Sequence, residues 1–326
     1  MSHPRAGHDT GDGDAAPPIR WLPRNAGYGA ALAAPAVVAT ALDPEVGLVL
    51  SVGLLCAAGM GLRGPRRQRL LTLVAGVIAA GSIFLGATVA PYPVVALVLL
   101  VVLGLAVAAA STRIRFGTLV LMLALPLFSA GLSESGAADG VAAAGIILLG
   151  SAYAWLVSLA WPDHPEEQPA APRSALPRGA TLDYGLRLGL TGALAVGIGY
   201  ALGFDHPGWG GTAALMVSRP DPTLSRSRGI GRVLSVLAGG CAAFAVSALG
   251  VSDLVLALLT GAALLAMTAT AGSRWYITAG FTTFVILTLL ALDDPSTRSW
   301  WLSERTAATL IGVGIAYVLM YLVPTR

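Results

Sequence analysis

Residues 205–232 read D-H-P-G-W-G-G-T-A-A-L-M-V-S-R-P-D-P-T-L-S-R-S-R-G-I-G-R, and they stand out from the long, almost uncharged apolar sequence on both sides. The stretch begins with an acid, a histidine and a tryptophan, namely Asp205, His206 and Trp209. It then crosses a short apolar run and ends in a predicted loop that carries Arg219, Arg226, Arg228 and Arg232. This pattern predicts that polar groups meet a membrane here, and the rest of the chain is organised around it.

The composition of the 326-residue chain is typical of a membrane protein. Hydrophobic residues make up 56% of the chain and charged residues 11%, whereas a soluble protein has about 25% charged residues. Apolar runs of about 18 residues or more with few charges are typical of transmembrane helices. We therefore expect an all-α, polytopic membrane protein.

Several classes of site are excluded or disfavoured by residue usage. All twenty basic residues are arginine, so a phosphate-binding loop ending in G-K-[ST], a Schiff-base lysine and a kinase strand lysine are excluded. The two cysteines lie in apolar runs and are interpreted as inert thiols, and the four histidines have no metal-ligand spacing. We expect no cofactor, no metal, no nucleic-acid partner and no enzymatic activity.

The apolar runs divide the chain into four parts. Residues 1–25 are polar and are expected to form a disordered cytoplasmic tail without a cleavable signal peptide. Residues 26–161 hold six apolar runs, which form a first membrane half. Residues 162–183 are rich in proline and predict a cytoplasmic linker. Residues 184–326 hold six further runs, which form a second membrane half.

The two halves show a matching placement of arginine. Arg69 precedes the third run and Arg232 precedes the ninth, 163 residues later. Arg113 lies between runs four and five, and Arg274 lies between runs ten and eleven, 161 residues later. The spacing predicts two parallel six-helix repeats, as in some transporters.

The arginines also predict the orientation of the helices in the membrane. If the N-terminus is cytoplasmic and the runs alternate in direction, 18 of the 20 arginines fall on the cytoplasmic side and nine acidic residues fall outside. Such an excess of basic residues is the usual mark of cytoplasmic segments. We therefore predict about twelve transmembrane helices with both termini inside.

The eighth apolar run, Pro207–Ser218, is too short to cross a membrane as a regular helix. Its 12 residues would span about 18 Å of a hydrocarbon layer about 30 Å thick, and the matching run Val46–Leu62 is also slightly short. A short, glycine-interrupted segment in a repeat transporter indicates the substrate site. The alternative is that a neighbouring helix end dips inward or that Arg219 extends its side chain to the membrane surface.

The seventh run carries a series of small residues. Gly185, Gly189, Gly192, Gly199 and Gly203 recur along it. Small residues let helices approach closely in a membrane, so this series predicts close helix packing.

The central stretch resembles the fusaric acid resistance protein-like family. The resemblance rests on His206-Pro207-Gly208-Trp209, the Arg219-Pro220 turn and Arg232-Val233-Leu234, with supporting matches at Arg187–Leu190 and Glu304–Gly312. It covers residues 184–323. The first half has Asp43-Pro44-Glu45 at the matching place and lacks the H-P-x-W motif, so only the second half inherits the family's pattern.

The resemblance implies a multi-pass transporter of the bacterial inner membrane. Relatives include exporters of aromatic carboxylic acids and the plant aluminium-activated malate transporters, in which six-helix units pair into a twelve-helix pore. The expected partners are a small organic anion and membrane lipid, with the two halves acting as a covalent pseudo-dimer. The 22-residue linker of this chain is too short to hold the cytoplasmic domain found in many bacterial relatives.

The candidate anion-binding residues are arginines at predicted cytoplasmic helix ends. Arg219, Arg228 and Arg232 could attract a carboxylate and offer it paired hydrogen bonds. The alternative is that they only mark the cytoplasmic side or contact lipid headgroups. Trp209 and Tyr200 could line an aromatic-accepting pocket or belong to the aromatic belt at the membrane surface.

Asp205 and His206 are candidates for proton handling, because histidine titrates near neutral pH. The alternative is a solvated turn in which Asp205 caps the following helix. Glu304 and Arg305 are interpreted as interfacial charges at the end of the last helix. No apolar run has an acid near its centre.

Two functions remain open from the sequence. The first is an exporter of small organic anions, and the second is a membrane scaffold or regulatory membrane protein without transport activity. A polar cavity between the halves, reached by the arginines, would favour the exporter, whereas a bundle closed throughout by Leu, Val and Ala would favour the scaffold.

Overall fold

The computed structural model describes residues 19–62, 64–111, 117–163, 178–218, 222–274, 276–293 and 296–322. These residues form helices and turns, with no strand among them. The helices are α1 (Pro23–Leu42), α2 (Pro44–Met60), α3 (Arg66–Val89), α4 (Pro93–Ser111), α5 (Gly117–Gly131), α6 (Ala137–Ser158), α7 (Arg178–Ala201), α8 (Gly208–Val217), α9 (Pro222–Leu249), α10 (Asp253–Ala269), α11 (Tyr276–Asp293) and α12 (Arg298–Tyr317), and a π-helical turn (Val318–Leu322) follows α12.

Proline and glycine mark many of the helix ends. α1, α2, α4 and α9 each begin at a proline, whose fixed φ and missing N–H suit the first helical position. Asp43 caps α2, because its carboxylate accepts a hydrogen bond from the backbone N–H of Val46 at 3.2 Å. Gly61 follows α2 with φ 62°, a conformation that favours glycine.

Six of the described helices are long and apolar enough to cross a membrane: Pro23–Leu42, Arg66–Val89, Pro93–Ser111, Ala137–Ser158, Arg226–Leu249 and Ser299–Met320. Large apolar side chains cover the outside of the bundle, and Val94, Leu149 and Leu249 are more than 70% exposed. An apolar exterior of this kind suits lipid rather than water. The expectation of an all-α, multi-pass membrane protein is confirmed.

The helices of the two halves interlock. α1 of the first half packs along α10 of the second, and α7 of the second half packs along α4 of the first. α3 packs against α5 and α6, and α9 packs against α11 and α12. α2 and α8 lie at the centre: α2 contacts α1, α6, α10 and α11, whereas α8 contacts α7, α12 and α5.

Glycines allow the closest of these crossings. A β-carbon added to Gly104 of α4 would lie 2.6 Å from the Cα of Gly189 in α7 and 2.7 Å from the carbonyl oxygen of Gly185. A β-carbon added to Gly192 of α7 would lie 3.1 Å from the side chain of Leu215 in α8. The predicted role of the glycine series in helix packing is confirmed for Gly185, Gly189 and Gly192 of α7.

Three helices begin earlier than the sequence predicts, and α1 does so at Pro23, inside the predicted disordered tail of residues 1–25. α7 begins at Arg178, so it includes the last six residues of the predicted linker. α9 begins at Pro222, so Arg226, Arg228 and Arg232 lie on a helix and the prediction of an arginine-rich loop is wrong. Serine, glycine and arginine resemble a loop in sequence, but each helical residue gains a backbone hydrogen bond and Pro222 is preorganised to start the helix.

Arg69 and Arg232 do not occupy equivalent positions, so their predicted correspondence is wrong. Arg69 is the fourth residue of α3, whereas Arg232 is the eleventh residue of α9. The guanidinium of Arg69 donates to the carbonyl oxygens of Ser158, Trp161 (2.9 Å) and Pro162 (2.7 Å), and it lies 3.6 Å from Asp163. It therefore closes the C-terminal end of α6, where carbonyl groups lack helical partners.

Arg69→Ala is expected to destabilise the protein by about 2–3 kcal/mol, because several carbonyl groups at the end of α6 would lose a charged donor. Thermal unfolding of the purified protein in detergent measures the effect. Arg66→Ala is the comparison, because the Arg66 side chain is 59% exposed and donates to a single carbonyl oxygen of this helix end, that of Leu159 at 3.3 Å, so its loss should cost less. Equal unfolding temperatures for the two variants would contradict the capping role of Arg69.

Candidate functional site

The short helix α8 is buried at the centre of the described bundle. It has ten residues, and all of them except Met216 are buried. At 1.5 Å per residue the helix covers about 15 Å, which is half of a hydrocarbon layer about 30 Å thick. The predicted shortness of this segment is confirmed.

Hydrogen bonds hold α8 against α5 of the first half. The hydroxyl of Ser129 donates to the carbonyl oxygen of Gly208 at 2.9 Å, and the Gly208 N–H donates to the hydroxyl of Ser133 at 3.2 Å. Thr212 donates to the carbonyl oxygen of Pro126 at 2.9 Å. Since serine and threonine also bond to backbone in membrane helices, these contacts fix the depth of α8 relative to the first half.

Asp205 binds a tryptophan from the last helix. Its carboxylate accepts a hydrogen bond from Trp300 Nε1 at 2.7 Å. The residue that precedes α8 is Pro207, and no side chain caps the helix there. The alternative that Asp205 caps α8 is therefore wrong, because the indole N–H, which can only donate, holds the carboxylate instead.

His206 and Glu304 join α12 to the start of α8. The backbone N–H of His206 donates to Glu304 Oε1 at 2.6 Å, and Nδ1 of the ring lies 3.4 Å from Glu304 Oε2. The side chain of Glu304 is 0% exposed, and that of His206 is 17% exposed. The buried carboxylate of Glu304 therefore contacts the partly accessible imidazole of His206.

Trp209 lies between the imidazole of His206 and the guanidinium of Arg305. The His206 and Trp209 rings are stacked, with centroids 4.0 Å apart and planes at 6°. Cζ of Arg305 lies 4.7 Å from the centroid of Trp209, within the range of a cation–π interaction. Trp209 is 6% exposed, so its assignment to a surface aromatic belt is wrong.

Tyr200 does not join this group. Its hydroxyl donates to the carbonyl oxygen of Ala90 at 3.2 Å, and its ring packs in a separate apolar cluster between α4, α5 and α7. Tyr200 therefore connects α7 to the end of α3, and these contacts explain its position by helix packing.

The interpretation of Glu304 and Arg305 as interfacial charges is wrong. Their residues are 2% and 4% exposed, respectively. Because neighbouring residues point about 100° apart on a helix, Glu304 faces His206 while Arg305 faces Trp209. Sequence reasoning assigned neither of them to the site. The available signal was a charged pair placed several residues inside α12, which begins at Arg298.

Arg232 is buried near the other end of α8. Its Nη1 donates to the sulfur of Met216 at 3.2 Å, its exposed fraction is 4%, and its charge interacts with that of Arg305. Its Nε is buried without an acceptor among the described residues. Thioether sulfur is a weak acceptor, so this guanidinium has hydrogen-bonding capacity that the described side chains do not meet.

The other two candidate arginines differ in their placement. Arg228 lies one helical turn before Arg232 on α9 and is half-buried. Arg219 lies outside the described residues. Of the three candidate arginines, Arg232 is the one that the structure describes as buried, and its charge interacts with that of Arg305.

Two cavities are lined by described residues away from this group. A cavity of about 270 Å³ between α3, α4 and α5 is lined mainly by apolar side chains, with Phe128 and Leu125 at its wall. A cavity of about 490 Å³ between α9 and α11 is lined by Ser227, Arg274 and Tyr276 among others. Neither is lined by Trp209, Arg232 or Arg305.

The apolar helices and the buried charges around α8 define a multi-pass membrane protein. Residues 194–319 match the family model described as fusaric acid resistance protein-like. This match confirms the resemblance seen in the sequence over those residues, which include the His206-Pro207-Gly208-Trp209 motif. No curated protein and no solved structure matches the chain.

Proposed function

We propose that the protein exports small organic anions, aromatic carboxylates among them, across the bacterial inner membrane. The observation that carries the proposal is the buried guanidinium of Arg232, whose Nε lacks an acceptor among the described residues and which lies near a second buried cation, Arg305. The family match supports membrane transport.

The chemistry of this pair of arginines suits a carboxylate. A buried charge is costly unless an opposite charge or strong hydrogen bonds compensate it. A carboxylate can accept two parallel hydrogen bonds from one guanidinium, which is a stronger and more directional contact than a single bond. In the proposal, the transported anion supplies the acceptor that Arg232 lacks, and Trp209 lies farther along α8 beside Arg305.

The proposed path runs along α8. The arginine distribution supports a cytoplasmic N-terminus, which directs the Trp209 end of α8 outward. Because α8 covers about half the membrane thickness, Arg232 at its inner end would lie near the middle of the membrane. An anion entering from the cytoplasm would reach Arg232 first and Arg305 next.

The packing of the helices supports a repeat of two six-helix halves. The contact of α1 with α10 is matched by that of α7 with α4, and the contacts of α3 with α5 and α6 are matched by those of α9 with α11 and α12. In the proposal, residues 26–161 and 184–326 form a covalent pseudo-dimer of twelve spans, with membrane lipid around it. Transport proceeds without chemical conversion of the substrate.

A membrane scaffold without transport activity is the second candidate. The observation that favours it is the position of the two cavities, neither of which is lined by Arg232 or Arg305. On the exporter proposal, the same packing corresponds to a closed form that must open along α8. A scaffold needs no such opening.

Trp209→Ala and Arg219→Ala are expected to abolish export of labelled aromatic carboxylates while both proteins still reach the membrane. Loss of Trp209 would remove the ring on which His206 stacks and over which Arg305 lies. Efflux from cells that express each variant, against a panel of aromatic and aliphatic carboxylates, measures the effect. Trp209→Phe is the control, because it keeps an aromatic face and should retain part of the activity.

The same measurement separates the two candidate functions. Efflux of at least one carboxylate by the parent protein, lost in Trp209→Ala, supports the exporter. Identical efflux from cells with the parent protein, with Trp209→Ala and with no protein would favour the scaffold.

A further inference from the structure

We propose that His206 and Glu304 together bind one proton from the outer side of the membrane, and that this proton strengthens anion binding at Arg232 and Arg305. The proposal rests on the exporter function described above. It extends that function by a proton-binding site and by a coupling between the proton and the transported anion.

The geometry of the pair suits a shared proton. Glu304 is closed off from solvent, and His206 is the partly accessible group that covers it. The two oxygens of Glu304 are directed to the backbone N–H and to Nδ1 of His206, at 2.6 Å and 3.4 Å. A proton that reaches the imidazole from outside is therefore stabilised at once by a buried carboxylate, and a charge-assisted hydrogen bond is the stronger kind.

The described elements around His206 bring few other ionisable groups toward it. Glu304 contacts it from α12, and Glu134, in the turn between α5 and α6, interacts with its charge. Arg305 lies on the far face of Trp209, and Asp205, the preceding residue, is bonded to Trp300. Burial raises the pKa of the Glu134 carboxyl, nearby Asp139 raises it further, and His206 lowers it, so Glu134 interacts with the charge of His206.

The sign of the coupling follows from the charges. Among the buried charged residues, Arg232 and Arg305 contribute two positive charges and ionised Glu304 contributes one negative charge, so these three carry one net positive charge while His206 is neutral. Binding of a monovalent anion brings the sum to zero. A proton on the pair adds one positive charge beside Trp209, which attracts the anion. By linkage, the bound anion must then strengthen proton binding by the same factor.

Binding of benzoate to the purified full-length protein tests the coupling, because benzoate stays ionised between pH 6 and 8. We expect the parent protein to bind it about fivefold or more tightly at pH 6 than at pH 8. Titration calorimetry in two buffers of different ionisation enthalpy should show proton uptake on binding near pH 7. His206→Gln should bind benzoate no more tightly at pH 6 than at pH 8, and it should lose the proton uptake.

Two further variants control for neighbouring groups. Glu304→Gln keeps an acceptor for the His206 N–H but removes the charge, so it should reduce the proton uptake. Glu134→Gln leaves the contact between His206 and Glu304 in place, and it should retain most of the uptake. Unchanged proton uptake in His206→Gln, or uptake lost only in Glu134→Gln, would overturn the proposal.

Tryptophan fluorescence separates a failure of this proposal from a failure of the exporter function. A protonated imidazole stacked on an indole quenches its emission, so acidification from pH 8 to 5.5 should quench the parent protein but neither His206→Gln nor Trp209→Phe. Quenching in a protein that binds no carboxylate at any pH would support the proton site and contradict the exporter function and the coupling. Absence of quenching together with pH-independent benzoate binding would contradict the proton site alone.

Discussion

Arg232→Ala is expected to reduce the export of aromatic carboxylates about hundredfold or more. Arg232 is 4% exposed, and removal of one partner of a buried charge pair costs about 3–5 kcal/mol. Since about 1.4 kcal/mol corresponds to a factor of ten in affinity, the anion would scarcely bind. Efflux of labelled carboxylate from cells or from vesicles with the reconstituted protein measures this loss.

Two other substitutions make this measurement specific. Arg232→Lys keeps the charge but not the paired hydrogen-bond geometry of a guanidinium, so it should lie between the parent protein and Arg232→Ala. Arg226→Ala is the matched control, because Arg226 lies on the same helix six residues earlier and is exposed. Equal losses in Arg226→Ala and Arg232→Ala would assign the effect to overall positive charge rather than to a binding site.

Gly104→Leu is expected to prevent the accumulation of folded protein. A β-carbon at position 104 would already lie 2.6 Å from the backbone of α7 at Gly189, and backbone atoms cannot move aside as a flexible side chain can. Overpacking of a buried contact costs about 1–3 kcal/mol or more, and a whole leucine side chain would separate α4 from α7. Size-exclusion chromatography of the detergent-extracted protein, with thermal unfolding, measures the outcome.

Gly81→Leu is the control for this substitution. No atom lies within 4 Å of a β-carbon added at Gly81, which lines the cavity of about 270 Å³ between α3, α4 and α5. Leucine has a higher helix propensity than glycine by about 0.8 kcal/mol, so this variant should be at least as stable as the parent protein. A folded, stable Gly104→Leu protein would contradict the close contact between the two halves.

The sequence allowed several features of the site to be predicted. The shortness of α8 could be read from the 12 apolar residues between Pro207 and Ser218, because helix length is counted along the chain. Arg232 was identified as a candidate because an arginine at a predicted cytoplasmic helix end can attract a carboxylate, and Trp209 because its ring could line an aromatic-accepting pocket. Close packing of α7 was predicted from its glycines, since small residues act in the same way wherever two membrane helices cross.

Other features could not be predicted from the sequence. Glu304 meets His206 across 98 residues of chain, and no local pattern indicates which helix faces which. The depth of Arg232 in the bundle depends on where α9 begins. The helix begins at Pro222, ten residues before Arg232, and the serine- and arginine-rich sequence between them does not indicate this. The role of Asp205 depended on an indole N–H that only the fold brings within reach.

By itself, the sequence determined that this protein is helical, lies in a membrane and carries its polar residues around one short helix. These properties depend on hydrophobicity and on residue spacing, which are local to the chain. Only the tertiary structure decided that Glu304, His206, Trp209 and Arg305 come together at the start of that helix and that Arg232 lies buried near its other end. Their grouping depends on how helices cross and rotate, and that is set by the packing of distant segments.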